Sequence, residues 1–238
     1  SLQATASNKP LQAIERLEIL NNASVGKLGI EGKAPQFYFG YNLSSDPTEL
    51  YYHDQPLSFT VASYDPQFTS GMPIRVDTTT IEDQARNRQI PILVYLPESA
   101  SPRPVILFSH GLGGNLRAAT YLGMHWAARG YVAVFLQHPG SDETILDGVP
   151  PIQWVAALNA AATLDNLDAR LLDVSAVIDN LEQRSADESD PYFGRLNLDL
   201  IAMTGHSFGA RTTQAVSGEN LRSIARETRE PRIKVAIP

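Results

Sequence analysis

Two short runs of wholly apolar residues constrain this chain more than anything else in it. Residues 105–108 (VILF) and 131–136 (YVAVFL) place apolar side chains on both alternating faces. As strands, both must therefore be covered on both sides. Each is followed by helical patterning. Residues 116–129 predict a helix closed by Gly130, and 153–184 predict a long helical stretch. Within the latter, Leu167, Leu171, Val174, Ile178 and Leu181 alternate spacings of four and three, a stripe suited to packing on a flat surface. Further strands are expected at 74–82 and 90–96, joined by a polar turn around 83–88. Pro91 places the second of these near a sheet edge. Strands at 198–203 and 233–237 flank a helix at 208–217. Strands alternating with helices imply an α/β fold with a mostly parallel sheet and helices on both faces. In such sheets, chemistry gathers at the carboxyl ends of the strands.

The residues in front read differently. Leu11, Ile14, Leu17 and Leu20 recur every three residues after Pro10 and predict a helix. Residues 24–72 are rich in glycine, proline and aromatic side chains and read as loop pinned by its aromatics. The organisation expected is an extension over 1–72 and an α/β core over 73–238.

Composition removes whole classes of function. There are 19 Lys+Arg against 26 Asp+Glu, a net charge of −7, which disfavours nucleic acid as a partner. No apolar run approaches the roughly 18 residues of a membrane-spanning helix. With no cysteine among 238 residues, disulfides, thiolate metal sites and a cysteine nucleophile are excluded. Ser1 in place of Met leads us to expect an exported chain, periplasmic or secreted.

Two strand ends carry candidate chemistry. Gly205-His206-Ser207-Phe208-Gly209 lies between the strand at 198–203 and the helix at 208–217. Gly-x-Ser-x-Gly alone is a weak signal. Between a strand and a helix it is stronger, because a nucleophile elbow turns so tightly that the positions two before and two after the serine cannot carry bulk. The hydroxyl is then held above the sheet, beside the free N–H groups of a helix start. His110-Gly111-Leu112-Gly113-Gly114 follows the strand at 105–108 and leaves backbone amides uncovered, as an oxyanion site requires. A phosphate loop is disfavoured, since neither Gly-x-Gly-x-x-Gly nor a following Lys-Ser/Thr is present.

FSHGLGG at 108–114, GYVAVFLQHPGSD at 130–142, LLDVSAVIDNL at 171–181 and TGHSFGA at 204–210 resemble the α/β-hydrolase superfamily. The nearest resemblance is to its platelet-activating-factor acetylhydrolases and bacterial dienelactone-hydrolase-like esterases. RNRQIPILVYLP at 86–97 resembles the opening strand pair of that branch and EPRIKVAIP at 230–238 its sixth strand. The likeness covers 73–238 and not 1–72. It implies Ser207 as nucleophile and the amides of Phe208 and Leu112 as oxyanion donors. It implies His110 as a brace of its loop, with Gly111, Gly113, Gly205 and Gly209 as turn formers. His206 would fill a variable position, packed against the sheet. His138 is a candidate for the pocket rim, and the segment 140–165, with Trp154, is a candidate cap over the pocket.

The expected activity is that of a serine esterase or lipase-like hydrolase acting on a small ester or lipid through an acyl-enzyme, with no metal and no cofactor. One departure bears on it. A serine needs a histidine base, and in this superfamily the acid and the histidine follow the serine in the chain. After Ser207 there is neither His nor Asp, and Glu219, Glu227 and Glu230 precede the last strand. The acid and histidine are expected beyond residue 238, in a fold that stops after its sixth strand and whose partner would be a complementary C-terminal fragment. Two alternatives stand beside this: a pseudo-enzyme binding an acyl ligand, or His53 or His138 as base. An acyltransferase using the same elbow is a further reading.

Overall fold

The computed structural model describes residues 68–238, except 220, 222, 223 and 225; within 1–67 it describes only the backbone of seven strands. The chain divides into two compact units, Ser1–Gln67 and Phe68–Pro238, against the expected 1–72 and 73–238. Residues 68–72 go with the second unit, where the amide of Ser70 donates to the carbonyl of Ala128 at 2.5 Å.

In the first unit, β1 (Leu2–Ala4), β2 (Arg16–Ile19), β4 (Gln36–Phe37), β6 (Glu49–Tyr52) and β7 (Gln55–Val61) form a sheet in the order β1-β7-β6-β2-β4. β3 (Val25–Gly26) pairs with β5 (Phe39–Gly40). The helix expected after Pro10 is contradicted where it is described. Residues Arg16–Ile19 are a strand, and Leu17 and Ile19 flanking Glu18 also fit a two-residue alternation. Leu11, Ile14 and Leu20 lie outside the described residues. The expected loop at 24–72 holds five of the strands, and β6 and β7 are rich in the β-branched and aromatic residues that favour them.

The second unit is built on a six-stranded sheet. Its strands are β8 (Ile74–Asp83), β9 (Arg88–Pro97), β10 (Arg103–Ser109), β11 (Val132–Leu136), β12 (Leu196–Gly205) and β13 (Ile233–Ile237), in the order β13-β12-β10-β11-β9-β8. β11, β10, β12 and β13 run parallel, and β8 and β9 add an antiparallel hairpin. This is the mostly parallel α/β sheet expected from the sequence. Pro91 is the exception. β9 is an inner strand and β8 takes the edge; Pro91 is tolerated because the ladder to β11 begins one residue later, at Ile92.

Strict alternation sorts the apolar side chains. Ile90, Ile92, Val94 and Leu96 of β9 and Val132, Val134 and Leu136 of β11 point to one face. There they meet Leu167, Leu171, Val174, Ile178 and Leu181 of α3 (Leu164–Ala186). Leu93, Tyr95, Phe108, Ala133 and Phe135 point to the other face, packing with Trp126 and Ala127 of α1 (Thr120–Ala128). Helices therefore cover both faces, and α4 (Phe208–Val216) shares the face of α3.

The single helical stretch expected at 153–184 is two helices, α2 (Trp154–Ala161) and α3. The Thr163 side chain caps α3 by accepting the amide of Asn166 at 3.1 Å. The Asn166 side chain donates back to the Ala161 carbonyl at 2.8 Å, satisfying the end of α2. Among the described residues no helix is long and apolar enough to cross a membrane.

Candidate active site

β12 ends at Gly205 and α4 begins at Phe208, so His206 and Ser207 alone reverse the chain. Ser207 sits at φ 54°, ψ −113°, a left-handed backbone that a residue with a side chain holds only when its surroundings impose it. The surroundings are visible. His206 N–H donates to the Ser109 carbonyl at 3.1 Å, and Gly209 N–H to the His206 carbonyl at 2.8 Å. A Cβ on Gly209 would run into the Ser109 carbonyl oxygen, and one on Gly205 would lie 2.8 Å from that same oxygen. A Cβ on Gly205 would come closer still to the backbone of Gly209, so the two glycines are required by their approach to each other and to β10. Ser207 is exposed at its tip, and the amide of Phe208 opens α4 beside it.

The loop 110–114 lies against this turn. A Cβ built on Gly111 would be 2.9 Å from Nδ1 of His206 and 3.5 Å from Cβ of Ser207. Gly113 N–H donates to Ser141 O at 3.0 Å, and Gly114 N–H to Gly111 O at 3.1 Å. Among the described residues, no turn or loop hydrogen bond uses the amides of Leu112 or Phe208. His206 is exposed rather than packed against the sheet, because the turn carries it past the ends of the strands.

His110 is fully buried. Its Nδ1–H donates to the Gly111 carbonyl at 2.6 Å, and its Nε2 accepts the amide of His138 at 3.1 Å. Burial, with His138 and Arg170 nearby, pulls its pKa down to about 3. The ring is therefore neutral at pH 7 and hydrogen-bonded on both nitrogens.

Beneath the loop lies a charged network that the sequence reading did not find. Arg170 of α3 is wholly buried. Its Nη1 donates to His110 O at 2.6 Å and its Nε to Ser141 Oγ at 2.7 Å, while its guanidinium sits 4.7 Å from the Phe208 ring centre. Asp173, one turn on, takes two hydrogen bonds from Arg88, at 2.7 and 2.9 Å, and an ion pair from Arg86 at 2.9 Å. His138 Nδ1–H donates to Asp173 Oδ2 at 3.0 Å, and Ser109 Oγ–H donates to His138 Nε2 at 2.9 Å. Burial would raise Asp173, but the hydrogen bonds from His138 and Arg88 outweigh it and hold it at about 2. Burial lowers His138 to about 4 against the opposing pull of Asp173.

Ser109, His138 and Asp173 thus repeat the atom order of a hydrolytic triad, yet none of the three is accessible. His138 is not on a pocket rim: its place at the end of β11 turns it inward under the loop.

The segment 140–165, expected as a cap, borders the glycine loop. A Cβ on Gly113 would be 2.6 Å from Leu158 Cδ2 and 3.6 Å from Leu146 Cδ1, so α2 and the short helical turn Glu143–Leu146 border the loop. The Glu143 carboxylate accepts a hydrogen bond from the Asn115 side chain. Trp154 is 44% exposed, and its indole N–H donates to Val149 O at 2.9 Å, which braces the segment. Glu219 pairs with Arg211 and Glu230 with Arg232, and Glu227 accepts the amide of Arg229. His53 lies outside the described residues. Among the described residues, no cluster of three His, Asp or Glu side chains is placed to hold a metal.

No family model and no curated protein matches the sequence. Solved structures do. One is a ferulic acid esterase from Streptomyces cinnamoneus, 18% identical with a TM-score of 0.46, covering 70% of this chain and 58% of its own. Another is a putative dienelactone hydrolase from Klebsiella pneumoniae subsp. pneumoniae MGH 78578, 17% identical with a TM-score of 0.46, covering 62% and 56%. This chain spans less than two thirds of the length of either.

Proposed function

We propose that Ser207 is the nucleophile of a carboxylic-ester hydrolase and that the amides of Leu112 and Phe208 receive the oxyanion. The observation that carries this reading is the backbone of Ser207. Its left-handed conformation is imposed by Gly205 and Gly209 against Ser109, on a turn that holds the hydroxyl outward beside the glycine loop. Such strain gains nothing for folding, and it presents an oxygen to a reactant.

Ser207 Oγ would add to the carbonyl carbon while its proton passes to a base. The negative charge would build on the carbonyl oxygen, facing fixed N–H dipoles. Collapse of that intermediate expels the alcohol with a proton and leaves an acyl-serine. Water then adds, and a carboxylic acid departs. Leu146 and Leu158 offer an apolar border next to Gly113, suited to an acyl group. His110 and His138 cannot take the Ser207 proton, since both are buried and both ring nitrogens of each are engaged. On this reading the proton passes to a base other than these two.

Ser207→Ala tests it. Turnover of short-chain esters by the full-length protein should fall by about 10⁴-fold or more. Undiminished turnover would overturn the assignment.

A further inference from the structure

We propose that Arg170 is a positioning residue for the oxyanion peptide: from beneath the loop it clamps the peptide groups ahead of Leu112, so that the Leu112 amide faces the Ser207 side. The inference rests on the reading of Ser207 and Leu112 given above, and it assigns a role to a residue that reading does not use.

Arg170 is wholly buried, yet among the described residues no carboxylate lies within ion-pair distance of it. A desolvated guanidinium is costly, and it is normally offset by a carboxylate partner. Here its hydrogen bonds go to the loop and to the residues that anchor it. Nη1 donates to His110 O at 2.6 Å, and Nη2 to Gly111 O at 3.4 Å. Nε donates to Ser141 Oγ at 2.7 Å, and Nη2 to Ser141 O at 3.2 Å. Ser141 O is also the acceptor for Gly113 N–H, so the cation holds the loop at three successive peptides.

Peptide planarity converts this grip into aim. The Gly111–Leu112 bond is trans, so the Gly111 carbonyl and the Leu112 N–H point in opposite directions. That carbonyl is held from the buried side by His110 Nδ1–H at 2.6 Å, Gly114 N–H at 3.1 Å and Arg170. With its oxygen fixed inward, the peptide can only present its N–H outward. Donors on the carbonyl also polarise the peptide and strengthen the N–H as a donor. The same guanidinium packs on the ring of Phe208, so one side chain touches Phe208 and the peptide group that carries the Leu112 amide. Its positive charge also lies behind the place where negative charge would develop.

The test is Arg170→Lys in the full-length protein, which keeps the charge but loses the fork. Thermal unfolding checks that the variant is folded. The expected result is a fall in kcat on the order of 10²-fold with KM nearly unchanged, as for loss of an oxyanion donor. Affinity for a trifluoromethyl ketone should fall in parallel, because that probe forms the same oxyanion. The amide proton resonance of Leu112 should move upfield as its peptide loses polarisation. Where Arg170→Lys does not fold, Ser141→Ala removes the Nε anchor and is read in the same three ways with smaller effects. A folded variant with unchanged kcat and an unmoved Leu112 resonance would overturn the inference alone. Ester turnover that survives Ser207→Ala would overturn the reading beneath it, and the inference with it.

Discussion

Asp173 shows how much one carboxylate can organise. It is fully buried and receives Arg88, Arg86 and His138, so its charge is matched before any solvent is needed. Asp173→Asn would take from Arg88 its carboxylate partner and leave Arg86 with Asp83 alone. Breaking a buried ion pair by removing one partner costs about 3–5 kcal/mol, and urea unfolding should register a loss of that size. A loss below about 1 kcal/mol, the scale of an exposed pair, would contradict the role given to it. The same residue closes the Ser109–His138–Asp173 chain, which a search by residue type would take for a triad. Burial decides otherwise, since no substrate reaches Ser109.

At the scale of elements, legibility in the sequence followed how many constraints each segment carried. β10 and β11 were plain because both faces of each are apolar, which only a covered strand explains. The tight turn at 205–209 was plain because Gly205 and Gly209 are forced by backbone contacts with each other and with Ser109, and such steric necessity leaves a mark in residue type. Arg170 and Asp173 were missed although they interrupt the apolar stripe of α3 between Leu167 and Val174. Charges at stripe positions are a signal of buried partners, but their partners sit on β9, on β10 and in the 138–141 turn, and nothing local names them. The break between α2 and α3 was missed because Thr163 and Asn166 act as a pair across it. Arg16–Ile19 was misread because three-residue spacing of leucines overlaps with the two-residue alternation of a short strand.

For the whole molecule, the buried imidazoles set the response to acid. His110 and His138 hold their neutral forms down to about 3 and about 4, whereas in the unfolded chain each takes a proton near pH 6.5. The unfolded state therefore binds more protons as pH falls below 6.5, and stability must drop with it. Two such groups withdraw on the order of 5 kcal/mol between about pH 6.5 and pH 4, a large share of a domain's usual stability. Asp173, held at about 2, adds stability above pH 4 that is lost as pH falls toward 2. The urea midpoint of the folded protein should therefore decline steadily from about pH 7 to about pH 4.5. A flat midpoint over that range would show that these histidines are not held neutral.

The central claim is that this fold presents Ser207 as a nucleophile, and covalent labelling tests it most directly. The full-length protein, treated with a fluorophosphonate and digested, is predicted to carry one adduct, on Ser207, by mass spectrometry. Ser207→Ala should carry none, and Ser109 should stay unmodified because it is buried. An unlabelled Ser207, or an adduct on another residue that survives Ser207→Ala, would contradict the account.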